Sequence, residues 1–249
     1  MIRTLILSGA LAALVAAPVA AFDIDAMTDT ERDAFGAAVR DYLMDNPEVL
    51  MEAIGVLEAR QAEAQAEGDV ALVRTNADDL FDDGFSWVGG NPDGDITIVE
   101  FMDYRCGYCK RAHPEVAELI ESDGNIRYIV KEFPILGEQS VLASRFALSV
   151  QQIAGDEAYG RIHDRLMTLR ADISEASLVA LATDEGLDAD AIMAGMAAPE
   201  VERIIAENRA LGQRLQINGT PSFIFGDQML RGYVPLDAMR DVVEEQRQG

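Results

Sequence analysis

Cysteine, histidine and positive charge are all scarce in this chain. Only Cys106 and Cys109 occur among 249 residues, so no disulfide framework can staple the fold and its stability has to come from packing. Structural zinc would need four ligands, that is, both cysteines and both histidines. His113 falls one helical turn beyond Cys109, but His163 is remote in sequence, and each reads more simply as a partly exposed helix residue. Lysine and arginine number 20 against 44 aspartates and glutamates, a formal net charge of −24. That charge repels phosphate backbones and anionic lipid alike, which excludes nucleic acid as a partner. Beyond Ala17 no apolar run approaches the roughly 20 residues that span a bilayer, so membrane insertion is not expected. What is present, 49% apolar and 26% charged residues, suffices for one or two packed domains.

The first segment reads as an export signal. Arg3 gives a positive start, Leu5 to Ala17 an apolar stretch broken by Ser8 and Gly9, and Val19-Ala20-Ala21 the small residues that precede cleavage before Phe22. Residues 1–21 are therefore expected to be removed, placing the chain in the periplasm, a compartment that permits disulfides.

Residues 22–82 read as a helical segment. Thr28-Asp29-Thr30-Glu31 has capping-box spacing, followed at helical intervals by Phe35, Val39, Tyr42 and Leu43, and Asn46-Pro47 ends the run. A second helix then carries Leu50, Ile54, Leu57, Gln61 and Ala64 at four-three spacing, a short coiled-coil-like seam. It continues through a surface-like run to Gly68, and a third helical stretch covers Val70 to Leu80. The seam predicts a stalk that joins two or three copies of the chain, with helices folded back on the main domain as the other arrangement.

Residues 83–249 alternate in α/β fashion. Strands are expected at Phe85–Val88 and Ile96–Met102, a helix from Cys106 to about Glu121, and a strand at Ile126–Phe133. A helical insertion follows at 138–212, then a hairpin from Ser222–Phe225 through Gly226-Asp227 to Met229–Arg231, and a closing helix from Pro235.

The chemistry centres on the Cys-Gly-Tyr-Cys pair. A cysteine that follows a strand and opens a helix sits beside unpaired backbone N–H groups at the positive end of the helix dipole, which stabilises its thiolate. Cys106 is then the nucleophile that attacks a disulfide, and Cys109, one turn further in and less accessible, resolves the mixed disulfide. The same two thiols also suit Cu(I). A bridge closing two intervening residues contributes little stability, so stability does not explain the pair. Glu100 is the polar exception in an apolar strand, and burying a carboxylate is costly unless it is protonated or paired. A carboxyl of raised pKa there can accept the proton of the resolving thiol; otherwise Glu100 faces solvent or bonds to Lys131. Thr220-Pro221 precedes the hairpin, and an X–Pro bond is ordinarily trans.

The run Val99-Glu100-Phe101-Met102-Asp103-Tyr104-Arg105-Cys106-Gly107-Tyr108-Cys109 resembles the DsbA-like family of bacterial exported thiol-disulfide oxidoreductases. So do Lys131-Glu132-Phe133-Pro134-Ile135-Leu136-Gly137 and Asn218-Gly219-Thr220-Pro221-Ser222-Phe223, and the likeness covers the chain from about Phe85 onward. It implies a thioredoxin fold with a helical insertion, a cis Pro221 facing the cysteines, and a Thr220 backbone that pairs with substrate beside Tyr108. It also places an acidic residue at Glu100 beneath the site. No cofactor is implied; the partners are exported proteins with disulfides and a membrane redox protein that resets the dithiol. The N-terminal helices, notably Asp45-Asn46-Pro47-Glu48-Val49-Leu50, are similar to the oligomerising region of the ScsC-type branch, associated with copper tolerance and disulfide shuffling. Within the family, Cys-Gly-Tyr-Cys with threonine before the proline is similar to the isomerase DsbC, whereas the oxidase DsbA has Pro-His and valine at these places. The expectation is a disulfide isomerase, with a DsbA-like oxidase and a Cu(I)-binding or holdase protein as alternatives. Tyr108 cannot stabilise the thiolate by charge as histidine does, which predicts a thiolate less favoured than in the oxidase.

Overall fold

The computed structural model describes residues 26–248, so the expected signal segment lies outside the described residues. The chain divides into two compact units between Ala59 and Arg60. The first contains α1 (Asp29–Asp45) and the start of α2 (Glu48–Thr75). The Thr28 capping box forms as expected, with Glu31 and Thr28 each satisfying the other's backbone N–H, and Asn46 closes the helix. No residue of α1 is buried. Leu50, Ile54 and Leu57 on α2 are likewise exposed, at 49%, 47% and 55%.

Gly68 does not end α2 as expected. A mid-helix glycine costs only about 1 kcal/mol relative to alanine, and the turns beyond it are fixed by tertiary contacts. Asp69 accepts from both Arg231 Nη1 and Nη2, and Val73 is buried. The expected helix over Val70–Leu80 is thus the end of α2 and a separate short α3 (Ala77–Phe81), broken at Asn76, whose side chain donates to Leu72 O and accepts from Arg214. The second unit accordingly begins at Arg60 and includes residues that the expected boundary after Asp82 assigns to the stalk.

Five strands form one sheet in the order β1-β3-β2-β4-β5: β1 (Trp87–Gly90), β2 (Ile96–Met102), β3 (Ile126–Glu132), β4 (Ser222–Phe225) and β5 (Gln228–Arg231). β2 and β3 are parallel and the other pairs antiparallel. β1 starts two residues later than expected because the Phe85 and Ser86 N–H groups donate to Asp83 Oδ1, holding those residues in a turn. The crossover from β2 to β3 is α4 (Gly107–Asp123), stopped by Gly124 in the left-handed region at φ 73°. Between β3 and β4 lie α5 (Glu138–Ala154), α6 (Asp156–Thr168), α7 (Glu175–Asp184), α8 (Ala189–Gly195) and α9 (Pro199–Arg214). α10 (Leu236–Gln248) closes the chain.

Strand alternation sorts the core onto two faces. Ile96, Ile98 and Met102 point with Cys109, Val116, Phe146, Ile162 and Met239 to one side. Val99 and Phe101 point with Val73, Leu80 and Leu211 to the other. The last turns of the insertion therefore cover the sheet itself. Glu100, in step with Ile98 and Met102, is directed into the first core, toward α4.

Candidate active site

β2 delivers the chain to the site and α4 carries it away, so Cys106 becomes the N-cap of α4. The Cys109 N–H donates to Cys106 Sγ at 3.4 Å, filling the role that serine or aspartate takes at other helix starts. The loop before it is fixed by Asp103, fully buried. Its Oδ1 accepts from Arg105 N at 2.8 Å, and its Oδ2 accepts from Ile135 N and Leu136 N at 2.9 and 3.1 Å. One carboxylate thereby ties the dithiol loop to the loop after β3.

Opposite stands the Thr220-Pro221 bond, which is cis. The Cys106 thiol donates to the Thr220 carbonyl at 3.1 Å. Tyr108 is exposed on the first turn of α4, its ring 6.4 Å from that of Tyr233.

The two sulfurs sit in unlike surroundings. Hydrogen bonding from the side chains of Cys109 and Thr220, and from the Cys109 and Tyr108 backbone, pulls the Cys106 thiol down to about 5 against the opposing effect of burial. The Thr220 carbonyl works the other way, since only the protonated thiol can donate to it. Tyr108 supplies no charge to the thiolate, and hydrogen bonds at the helix start stabilise it instead. Burial pushes the Cys109 thiol far up, with the Cys106 hydrogen bond and the nearby Glu100 charge adding to it. One cysteine is ionised at neutral pH and the other holds its proton.

Glu100 is buried and not turned to solvent. Burial raises its carboxyl to about 7, with Tyr128, which donates to Oε2, and His113 working against that rise. Its Oε1 has no hydrogen-bond partner among the described residues. Lys131, offered by the sequence as a possible partner, belongs elsewhere: it is buried and pairs with Asp83 while donating to Asp79 O.

Two features escape sequence reasoning. Glu132 at the end of β3 is buried, accepting from Tyr104 Oη and Tyr159 Oη at 2.7 and 2.6 Å and from Ser144 Oγ at 2.6 Å; burial lifts it to about 7. His163 is not a partly exposed helix residue but 2% accessible, its ring packed against those of both Trp87 and Tyr159, with Nδ1 3.1 Å from Tyr104 Oη. Burial lowers it to about 3, so it is neutral. His113 lies 5.3 Å from it, ring to ring, and bonds Asp164 at 3.3 Å. The signal for Glu132 was its place in the Lys131–Gly137 run; nothing in sequence joined the two histidines.

The donor set does not fit structural zinc, because among the described residues no three Cys, His, Asp or Glu side chains converge as metal ligands.

A helix-opening dithiol facing a cis proline, carried by a parallel pair inside a mixed sheet, defines a thioredoxin-fold dithiol protein. The DSBA-like thioredoxin domain matches residues 97–244, and the chain belongs to that family. The copper resistance protein ScsC N-terminal domain matches residues 31–64. A thioredoxin-like oxidoreductase from Silicibacter pomeroyi superposes with a TM-score of 0.65 at 42% identity, covering 69% of this chain and 98% of that one. Proteus mirabilis ScsC in a transitional conformation superposes at 0.64 with 30% identity, covering 90% and 98%. A curated relative, Na(+)/H(+) antiporter NhaA 1 of Salinispora arenicola, is 28% identical over 157 residues, 63% of this chain; the chain spans only 24% of that protein's length. Among the described residues here, no helix is long and apolar enough to cross a membrane.

Proposed function

We propose that the chain is a periplasmic thiol-disulfide exchange protein that works mainly as a disulfide isomerase on misfolded exported proteins. The observation that carries this reading is the division of labour between the sulfurs: an ionised Cys106 next to the Thr220 carbonyl and a protonated, buried Cys109 beside Glu100. In the first step the Cys106 thiolate attacks a substrate disulfide, forming a Cys106–substrate bond and releasing the substrate's other sulfur as a thiolate. In shuffling, a substrate thiolate returns to displace Cys106, so no net electrons move. In escape, Cys109 passes its proton to the Glu100 carboxylate and attacks Cys106; the Cys106–Cys109 disulfide forms and the substrate leaves reduced by two electrons. A membrane redox partner then resets the dithiol. Thr220 and Pro221 orient the incoming chain, and Tyr108 lies beside its path.

The exposed apolar residues of α1 and α2 support a homodimer or homotrimer, which would hold two or three dithiols near one substrate. Export is supported by the expected signal segment and by a structural neighbour described as a periplasmic thioredoxin-like protein of Salmonella. A second reading, Cu(I) handling by the same thiols, is favoured by the match to the copper resistance protein ScsC N-terminal domain. The isomerase reading is tested by reactivation of scrambled ribonuclease with the pre-reduced protein. Recovery should vanish in Cys106→Ala, and Cys109→Ala should accumulate mixed disulfides. No recovery, together with Cu(I) affinity that Cys106→Ala abolishes, would replace it by the copper reading.

A further inference from the structure

The chain is strongly acidic, yet residues 104–114, which surround the dithiol, contain Arg105, Lys110 and Arg111 and no acid. Several arginines elsewhere are paired, as Arg231 is with Asp69 and Arg247 with Asp95 and Asp123. Among the described residues none of these three cations forms an ion pair. Arg105 is exposed beside Cys106, its Nη1 reaching Leu136 O at 3.5 Å. Lys110 Nζ donates to Leu169 O at 2.8 Å, and burial, then repulsion from Arg105, holds its pKa down. Arg111 lies over the Tyr233 ring at 4.4 Å, and Tyr233 neighbours the exposed Tyr108. Two carboxylates lie nearby without pairing with these cations. Asp103 is buried against three backbone N–H groups, and Glu115 accepts from Tyr233 Oη and Leu236 N. Like charges left facing one another raise the energy of the free protein, and an acidic ligand would relieve them.

We propose that this cationic rim, floored by Tyr108 and Tyr233, selects the substrate: the favoured disulfides are those whose cysteine is flanked by aspartate or glutamate in an extended stretch. The inference rests on the thiol-exchange reading and adds its substrate class. Arg105 and Arg111 are specificity residues rather than members of the reacting set. A charge about 7 Å away through water is worth about RT, a factor of about three. Two such pairs, partly screened at physiological salt, give a preference of about three- to tenfold.

The experiment uses the reduced full chain and peptides with one cysteine capped as a neutral methyl disulfide, flanked on both sides by Asp, Asn or Lys. Rates of Cys106 attack, followed by mass spectrometry, are divided by those of 2-mercaptoethanol on the same peptide, which removes intrinsic reactivity. The normalised order should be Asp, then Asn, then Lys. The double variant Arg105→Glu, Arg111→Glu should invert it; Arg105→Gln, Arg111→Gln should flatten it and serves if the inverted variant does not fold. Because every peptide meets the same thiolate, a change in Cys106 ionisation cannot mimic the effect. Equal rates for all three peptides, or an order unmoved by both variants, would overturn the rim while leaving exchange intact. No exchange with any peptide would overturn the dithiol reading itself.

Discussion

Replacing Glu100 by glutamine separates a buried proton acceptor from an ordinary surface acid. The folded-state carboxyl stands at about 7 against an ordinary 4.5, with burial as the main cause. Between those values the folded protein keeps a proton that the unfolded chain has lost, so wild-type stability falls as pH rises through the window. The slope approaches ~1.4 kcal/mol per pH unit, and the whole window amounts to about 3 kcal/mol. Glu132, also raised to about 7, adds a slope of the same sign, while Cys106, lowered to about 5, adds one of opposite sign above pH 5. Both are common to the two proteins and largely cancel in their difference. Glutamine still accepts from Tyr128, but its buried amide N–H groups cost about 1–3 kcal/mol at every pH. Urea denaturation of the reduced proteins from pH 4.5 to 8.5 should therefore show Glu100→Gln gaining about 3 kcal/mol relative to wild type between the ends, whatever the constant offset. Parallel stability curves would refute the reasoning, because a carboxyl with water access would titrate alike in both states. The same variant should slow escape from the Cys106 mixed disulfide by about a hundredfold or more, the usual scale of a lost general base. Unchanged escape with the stability effect intact would leave Glu100 a buried acid with no part in proton transfer.

Alkylation of the reduced protein should follow a single ionisation near 5 with Cys109 unreactive, since only Cys106 is both ionised and reachable; a midpoint near that of a free thiol would remove the helix-start argument. Leu50→Lys with Ile54→Lys should convert a sedimenting oligomer to monomer without loss of fold, because both side chains are exposed within their own unit. An unchanged oligomeric mass would place the association surface elsewhere.

Much of the site was legible because its parts obey local rules. Cys106 caps its helix for the reason any polar N-cap does, and the alternation of β2 forces Glu100 inward whether or not a partner waits there. Helix limits set by local chemistry, such as Thr28 and Asn46, are also as the sequence implies. Limits set by tertiary contact are not. Gly68 reads as a stop, and contacts remote in sequence, the Asp69–Arg231 pair and the burial of Val73, explain why α2 runs on.

The buried polar cluster was illegible for a deeper reason. Glu132 comes from β3, Tyr104 from the dithiol loop, Ser144 from α5, and Tyr159 and His163 from α6, so each looks unremarkable in its own segment. Their meeting follows from the crossover that lays the insertion against the sheet, which no periodicity encodes. The consequence reaches the dithiol through the chain itself. Tyr104 precedes Cys106 by two residues and is anchored on Glu132, while the intervening Arg105 N–H is held by Asp103. The loop that aims the nucleophile is thus pinned from one side by a cluster drawn from the insertion and from the other by the loop after β3. Insertion and thioredoxin core therefore act as one positioning device, and the helices between β3 and β4 belong to the active site as much as the strand that carries Glu100.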